Sequence, residues 1–410
     1  MNVSPNFSLP IRHIAPYFLS AIFFYIVSML LLLWIPSTTT IHDFKIIGWV
    51  HAYMIGFVMM VIIGAMGQMS VVVAEVYHRY PNVFRWIFPL LIVGICTLLV
   101  GFFVNITYLP LGGGAIFLAL SLFAFNLFVT LRTSARRTSV TRSMQWSTLF
   151  LGIGLGIGVW MALGYAGIIN TDPTQWRMGH VFSVFGGYVM LNIMGVSTVL
   201  LPMFGACNRP SDRDHTISFY TMIASVGAMI TASMVQLPWL EKTALWIGMG
   251  SVLYYMVQVY RIFTTKKRHY SDIWERSVLV AFIALILSMG LGTYALLSAN
   301  ESALMVSFWF LTAGFLGFLI SAHLYKIVPF LVWFERYAPY IDEREVPMLH
   351  QLLPTRWANL QWVLGIVGVM SVSLALAMNN PVLWKAGAVS LVASGGVLMV
   401  IVIKVLRDKL

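Results

Sequence analysis

Three histidines lie inside long apolar segments of this sequence, where an imidazole could ligate a metal ion. They are His51, His180 and His323. A histidine in the interior of a membrane is costly unless it pairs or ligates something, so each is a candidate functional residue. Neutral imidazole is a usual axial ligand of haem iron and also a good copper ligand. The alternative is a histidine that hydrogen-bonds to a neighbouring helix or reaches the lipid headgroups.

The segments that carry these histidines resemble one another. A shift of 131 residues places Gly48–Val71 on Gly179–Pro202, and a further shift of 127 residues reaches a third segment that contains Gly314, Ile320 and Pro329. A repeat that recurs every four segments predicts three four-helix units. We expect one transmembrane domain over residues 1–410, with repeat units near 10–140, 141–270 and 271–410.

The alignment of the three copies places the three histidines at non-equivalent positions. His51 and His180 lie at nearly the same predicted depth, and both are candidate metal and cofactor ligands. His323 corresponds to a position fourteen residues beyond His51, about 21 Å of helical rise, so these two cannot share one iron. His323 could serve a second site, or could anchor a carboxylate or phosphate group together with Tyr325 and Lys326. The alternative is a helix end at which the lysine reaches the headgroups.

Four glycines recur at matching positions of the first two copies: Gly56, Gly64, Gly187 and Gly195. Small residues let membrane helices approach closely, and they also leave room for a flat cofactor. We therefore include them among the candidate cofactor-binding residues. Methionine is abundant at 24 residues, and its thioether can bind copper(I), but it is also an ordinary packing residue.

Composition defines the elements that must position these residues. Hydrophobic residues make up 60% of the 410 residues and charged residues 10%, with a mean hydropathy of +0.86. Apolar runs of about 20 residues match the thickness of a bilayer core, and only helices or closed barrels can span it. The sequence predicts an all-α polytopic protein with twelve transmembrane helices, near 15–35, 46–74, 86–106, 110–131, 144–169, 178–204, 216–236, 240–263, 274–298, 303–333, 357–378 and 381–406.

The net charge of +11 is unevenly distributed along the chain. Basic residues concentrate in the loops after even-numbered helices and at the C-terminus, where they include Arg79, Arg132, Arg136, Arg137, Arg268, Arg276, Arg344, Arg356, Arg407 and Lys409. This asymmetry follows the positive-inside rule and predicts that both termini are cytoplasmic. We expect a multi-pass protein of the bacterial inner (cytoplasmic) membrane, with membrane lipid and not nucleic acid as the partner of the basic charge.

The other histidines lie outside the predicted spans or at their edges. His78, His215, His269 and His350 fall near basic loops, and His13 and His42 flank the first helix. We expect all six to be solvated surface residues. Carboxylates are nearly absent from the predicted helix interiors, which weakens the alternative of a proton-coupled transporter.

The repeated strings resemble the haem–copper oxidase superfamily, and in particular its divergent subunit I-like and NnrS-like members. The strings are Gly48-Trp49-Val50-His51-Ala52-Tyr53 through Gln68, Gly179-His180 through Phe204, and Tyr325-Lys326-Ile327-Val328-Pro329-Phe330-Leu331-Val332-Trp333. The resemblance implies twelve helices with internal termini and a pseudo-threefold arrangement. It also implies a haem of the b type, with copper as the other candidate cofactor, respiratory-chain subunits as partners, and a role in nitric oxide or redox stress or in oxidase assembly.

The sequence departs from the superfamily at the oxygen-reducing centre. The predicted seventh helix has no histidine after His215, and Ala303–Trp309 contains none where the family has a His-x-His motif. Phe182 stands where the relatives have a second histidine. The interpretation is therefore a haem-binding membrane protein without dioxygen reduction, and the alternative is a transporter or a structural respiratory subunit without bound haem.

Overall fold

The computed structural model describes residues 9–135, 138–268 and 270–408, with Asp212 described without its side chain. Within these ranges every regular element is a helix. His269, Arg136, Arg137 and Lys409, for which the sequence makes predictions, lie outside the described residues.

The described residues form twelve long helices. They are α1 (Ile11–Leu31), α2 (Phe44–Ala74), α3 (Val83–Phe103), α4 (Leu109–Arg132), α5 (Ser139–Tyr165), α6 (Pro173–Gly205), α7 (Asp212–Val235), α8 (Pro238–Thr264), α9 (Ile273–Ser298), α10 (Glu301–Arg336), α11 (Thr355–Met378) and α12 (Pro381–Arg407). Eleven of these are long and apolar enough to cross a membrane. The exception is α8, where Tyr254, Tyr255, Gln258 and Tyr260 dilute the apolar residues. The prediction of a multi-pass helical membrane protein is confirmed, with eleven candidate membrane-spanning helices among the described residues.

Short polar side chains mark where several helices begin. Asp43, Asp272 and Asn380 each accept a hydrogen bond from a backbone N–H in the first turn of the helix that follows. Such caps satisfy backbone donors that have no partner within the helix. The helix starts are therefore encoded locally, and the predicted spans agree with them to within a few residues at most boundaries.

The three helices that carry the repeated strings share an unusual local geometry. Each contains a π-helical segment, Ala52–Met59 in α2, Phe182–Met190 in α6 and Phe310–Leu316 in α10. They are also the longest and most buried of the apolar helices. A π-helix is rare and is frequently found at functional sites. The structure therefore directs attention to the same three helices as the sequence repeat.

Contacts divide the chain into two compact units. The first unit contains α1, α2 as far as Met66, and α9 to α12. Here α12 packs against α1 and α11, and α1 packs along the π-helical segment of α2. The second unit contains the end of α2 from Gly67 and the helices α3 to α8, with α4 packed against α3 and α5, and α8 against α7. His51 and His323 therefore lie in the first unit and His180 lies in the second.

Candidate functional site

His51 is the last α-helical residue before the π-helical segment of α2. Its Nδ1 lies 2.8 Å from the backbone oxygen of Ile47, one turn earlier in the same helix. Because a carbonyl oxygen can only accept, Nδ1 carries the proton of the neutral ring and Nε2 carries the lone pair. This is the tautomer that a histidine adopts when it ligates a metal through Nε2. The half-buried ring of His51 therefore presents the correct donor atom for an axial ligand.

His180 lies two residues before the π-helical segment of α6 and is fixed by the neighbouring helix α5. Its Nδ1 lies 2.8 Å from the backbone oxygen of Gly154. The ring fills the space beside Gly158, where an added Cβ would lie 2.9 Å from the His180 Cε1. Nε2 again carries the lone pair, by the same argument as for His51.

Gly154 and Gly158 of α5 also belong to this site, although neither is among the candidate residues predicted from the sequence. The available signal was their spacing of four residues in α5, which places two small residues on one helix face. In membranes such a pair commonly forms a groove for a neighbouring helix. Here it also receives the imidazole of His180.

His323 lies in α10 and belongs to a different local environment. Its Nδ1 is 2.7 Å from the backbone oxygen of Leu319, and its ring meets the edge of Trp274 at a centroid distance of 6.3 Å. The two neighbours that could have anchored a ligand have partners within the protein. Lys326 Nζ lies 2.7 Å from Asp272 Oδ2, and the Tyr325 hydroxyl donates to Gln361 Oε1. Lys326 therefore forms a half-buried ion pair with the residue that caps α9.

Side chains of neighbouring helices occupy the space beside each of the four recurrent glycines. A Cβ on Gly56 would lie 2.6 Å from Phe24, and a Cβ on Gly64 would lie 2.8 Å from Phe18. In the second unit the corresponding distances are 2.5 Å from Gly187 to Phe150 and 2.6 Å from Gly195 to Ser143. These four glycines therefore allow neighbouring helices to approach closely, and the space beside them is not open to a flat cofactor.

The predicted surface positions of two other histidines are wrong. His78 is buried in the turn after α2, with Nε2 donating to the Gly67 oxygen at 2.6 Å. Burial lowers the pKa of the His78 imidazole, and the hydrogen bond to Gly67 opposes this effect. His215 is buried within α7, where its Nε2 lies 3.0 Å from Ser143 Oγ. His78 is buried because it turns back onto α2 and packs against Phe84 of α3, whereas His215 packs against α5.

The remaining described histidines lie nearer the surface. His42 and His350 are exposed, as predicted, and His13 is half-buried. Among the described residues, no three His, Cys, Asp or Glu side chains cluster in a way that could hold a metal ion. A haem iron takes most of its ligands from the porphyrin, so an axial histidine requires no such cluster.

Comparison with known proteins adds no family to this description. No protein-family model matches the sequence, and no curated protein matches it either. The fold and composition thus define the class of the protein, a multi-pass helical membrane protein.

Proposed function

We propose that this chain is a haem-binding protein of the bacterial inner membrane with an architecture like that of haem–copper oxidase subunit I. His51 is the proposed principal ligand of a b-type haem, His180 is the second candidate ligand in the other compact unit, and copper is the alternative metal. The observation that carries the proposal is the tautomer of both rings. In each, Nδ1 donates to a backbone carbonyl, so Nε2 is the atom that would ligate a metal.

The location of both histidines supports the proposal. Each lies within two residues of a π-helical segment, and in α10 a third such segment follows Trp309. The segments begin at residues 52, 182 and 310, in register with the sequence repeat to within one residue. Irregular helices of this kind are concentrated at functional sites.

The proposed architecture has three four-helix repeats, twelve transmembrane helices and internal termini, and helix packing supports the repeat. Three glycines that the repeat aligns each contact the helix that precedes their own. Gly56 meets Phe24 of α1, Gly187 meets Phe150 of α5, and Gly314 meets Ala284 of α9. These contacts recur in the first and second helices of each proposed four-helix unit.

His51 and His180 each offer an Nε2 atom that would fit haem iron as a ligand. The four recurrent glycines, in contrast, do not supply a pocket for the ring. Their faces are occupied by Phe24, Phe18, Phe150 and Ser143. A porphyrin held by either histidine would have to lie against another face of the helix that carries it. A bound haem would supply reversible one-electron chemistry, and with His51 as its one protein ligand it would also leave a position for a small diatomic ligand such as nitric oxide. The backbone oxygens of Ile47 and Gly154 hold the two imidazoles in orientation. The proposed role is in nitric oxide or redox stress or in oxidase assembly, with respiratory-chain subunits as the proposed partners.

Absorption spectroscopy of the purified protein tests the proposal. Protein from haem-replete cells is expected to show a Soret band that shifts on reduction. His51→Ala and His180→Ala are expected to remove or shift this band, while His350→Ala, at an exposed histidine, leaves it unchanged. The absence of a Soret band, with neither iron nor copper detected by elemental analysis, would refute the proposal.

The second candidate function is a membrane scaffold, either a transporter or a structural respiratory subunit without haem. The packing of the four recurrent glycines favours this scaffold function, because neighbouring side chains occupy the space beside each glycine and leave no pocket there. Under this alternative the Gly154 hydrogen bond of His180 only ties α6 to α5. Substitution of His180 would then lower the thermal stability of the protein and change no absorption band.

A further inference from the structure

A positively charged site lies where the start of α9 meets the start of α11. Arg276, in the first turn of α9, donates from Nη2 to Oδ1 of Asn359 at 2.9 Å. Its guanidinium carbon also lies 5.6 Å from the centre of the Trp362 ring. Both helices belong to the first compact unit. The contacts fix the guanidinium between two helices.

Two hydrogen-bond donors at this site are buried without a partner. They are Nε of Arg276 and Nε1 of Trp362, which have no acceptor among the residues that the structure describes. The carboxylate one helical turn earlier, Asp272, caps α9 and pairs with Lys326. Arg276 forms no ion pair within the described part of the chain. Two buried donors without acceptors beside a half-buried positive charge are unfavourable unless an anion satisfies them.

Apolar side chains extend from this site along both helices. Their spacing of three and four residues places them on the faces that carry Arg276 and Asn359. On α9 they are Leu279, Ile283 and Ile286, and on α11 they are Val363 and Val367; between 46% and 60% of each side chain is exposed. An anion with a long apolar tail would satisfy both the charge and these two stripes.

We propose that Arg276 and Trp362 bind the phosphate of an anionic phospholipid, with its acyl chains along α9 and α11. The guanidinium Nε and the indole Nε1 are the donors to the phosphate oxygens, and charge-assisted bonds of this kind are strong. The charge asymmetry of the sequence predicts that Arg276 faces the cytoplasm, where anionic lipids attract basic residues. The apolar stripes favour a lipid over free phosphate. This site is independent of the proposed haem ligands.

Lipid titration of the purified full-length protein in detergent, followed by native mass spectrometry, tests the site. Phosphatidylglycerol is the probe, phosphatidylcholine the neutral comparison, and inorganic phosphate the competitor. The unmodified protein is expected to retain phosphatidylglycerol in preference to phosphatidylcholine. Arg276→Gln should weaken phosphatidylglycerol binding about tenfold, and Trp362→Phe, which keeps the ring but removes the donor, about threefold.

Arg344→Gln is the matched control. It also removes one predicted cytoplasmic charge and one arginine–aromatic contact, with Tyr340, but at an exposed position. Phosphatidylglycerol binding is expected to be unchanged in this variant. Equal losses in Arg276→Gln and Arg344→Gln would overturn the proposal, because they would indicate attraction by net charge alone. Displacement of the lipid by inorganic phosphate at similar concentration would overturn the lipid assignment. If Arg276→Gln does not fold, an unchanged affinity in Trp362→Phe overturns the site.

Discussion

Gly187 of α6 lies directly against Phe150 of α5, so closely that a Cβ on Gly187 would be 2.5 Å from the Phe150 Cβ. The neighbouring atoms are the root and ring of a phenylalanine, not the mobile end of a long side chain. Only a shift of one helix relative to the other could accommodate a methyl group. Gly56 and Phe24 show the same relationship at 2.6 Å. The two helix pairs are therefore joined by equivalent glycine contacts.

Gly187→Ala is expected to lower the free energy of unfolding by about 1–3 kcal/mol, because overpacking forces the two helices apart. Thermal unfolding of the detergent-solubilised protein measures this. Gly156→Ala, in the same helix as Phe150, is the control, since a Cβ at Gly156 meets no atom within 4 Å among the described residues. Equal melting temperatures for the two variants would contradict the close contact.

The carboxylate of Asp272 has two separable roles, as the cap of α9 and as the partner of Lys326. Asp272→Asn keeps a capping side chain but removes the charge, whereas Asp272→Ala removes both. We expect Asp272→Ala to destabilise the protein by about 1 kcal/mol more than Asp272→Asn. Denaturation of both variants, with and without Lys326→Met, isolates the ion pair. The charge term is absent if Lys326→Met has the same effect in the Asp272→Asn background as in the unmodified protein.

His78 is expected to make stability depend on pH. Burial holds the pKa of its imidazole below the ordinary value of 6.5, so the folded protein favours the neutral ring. The stabilisation is complete above the unfolded-state pKa and is lost as the pH falls through the lower folded-state pKa. Protonation would place a proton on Nδ1, which is buried without an acceptor among the described residues.

Thermal unfolding between pH 7.5 and about 5 measures this effect. His78→Gln, which cannot titrate, should flatten the acid side of the profile. The exposed His350→Gln is the control and should leave the profile unchanged. A fall in stability of the same size in His78→Gln and the unmodified protein would assign the pH dependence to other groups.

Ser143 and His215 connect α5 and α7 through a buried hydrogen bond of 3.0 Å. Ser143→Ala removes that bond inside the helix bundle and is expected to cost about 1–2 kcal/mol. Chemical denaturation provides the measurement, with Ser302→Ala at an exposed position as the comparison. An unchanged denaturation midpoint in Ser143→Ala would show that the bond contributes nothing to stability.

Helix positions were largely predictable from the sequence, because apolar run length and capping residues are local signals. The end of α1 was an exception. The apolar run continues to Ile35, but the helix ends at Leu31 and the chain then turns. An apolar residue serves equally well in a helix or in a covered turn, so hydropathy alone does not mark such an end.

The environments of the histidines were less predictable. His78 and His215 were expected at the surface and are buried, because their partners lie 11 and 72 residues away in sequence. His51 bonds to its own helix, whereas His180 bonds to Gly154 of another helix, although both follow similar local strings. The tautomer of His180 therefore depends on the packing of α5 against α6.

The sequence by itself determined that this is a multi-pass helical membrane protein, because the length and apolarity of a spanning segment are properties of consecutive residues. It also indicated which three helices are unusual. Only the tertiary structure decided how their glycines and histidines are used. A glycine can admit a cofactor or a neighbouring helix, and the choice depends on which side chain reaches it from elsewhere in the chain. At Gly56 and Gly187 that side chain is a phenylalanine of the preceding helix.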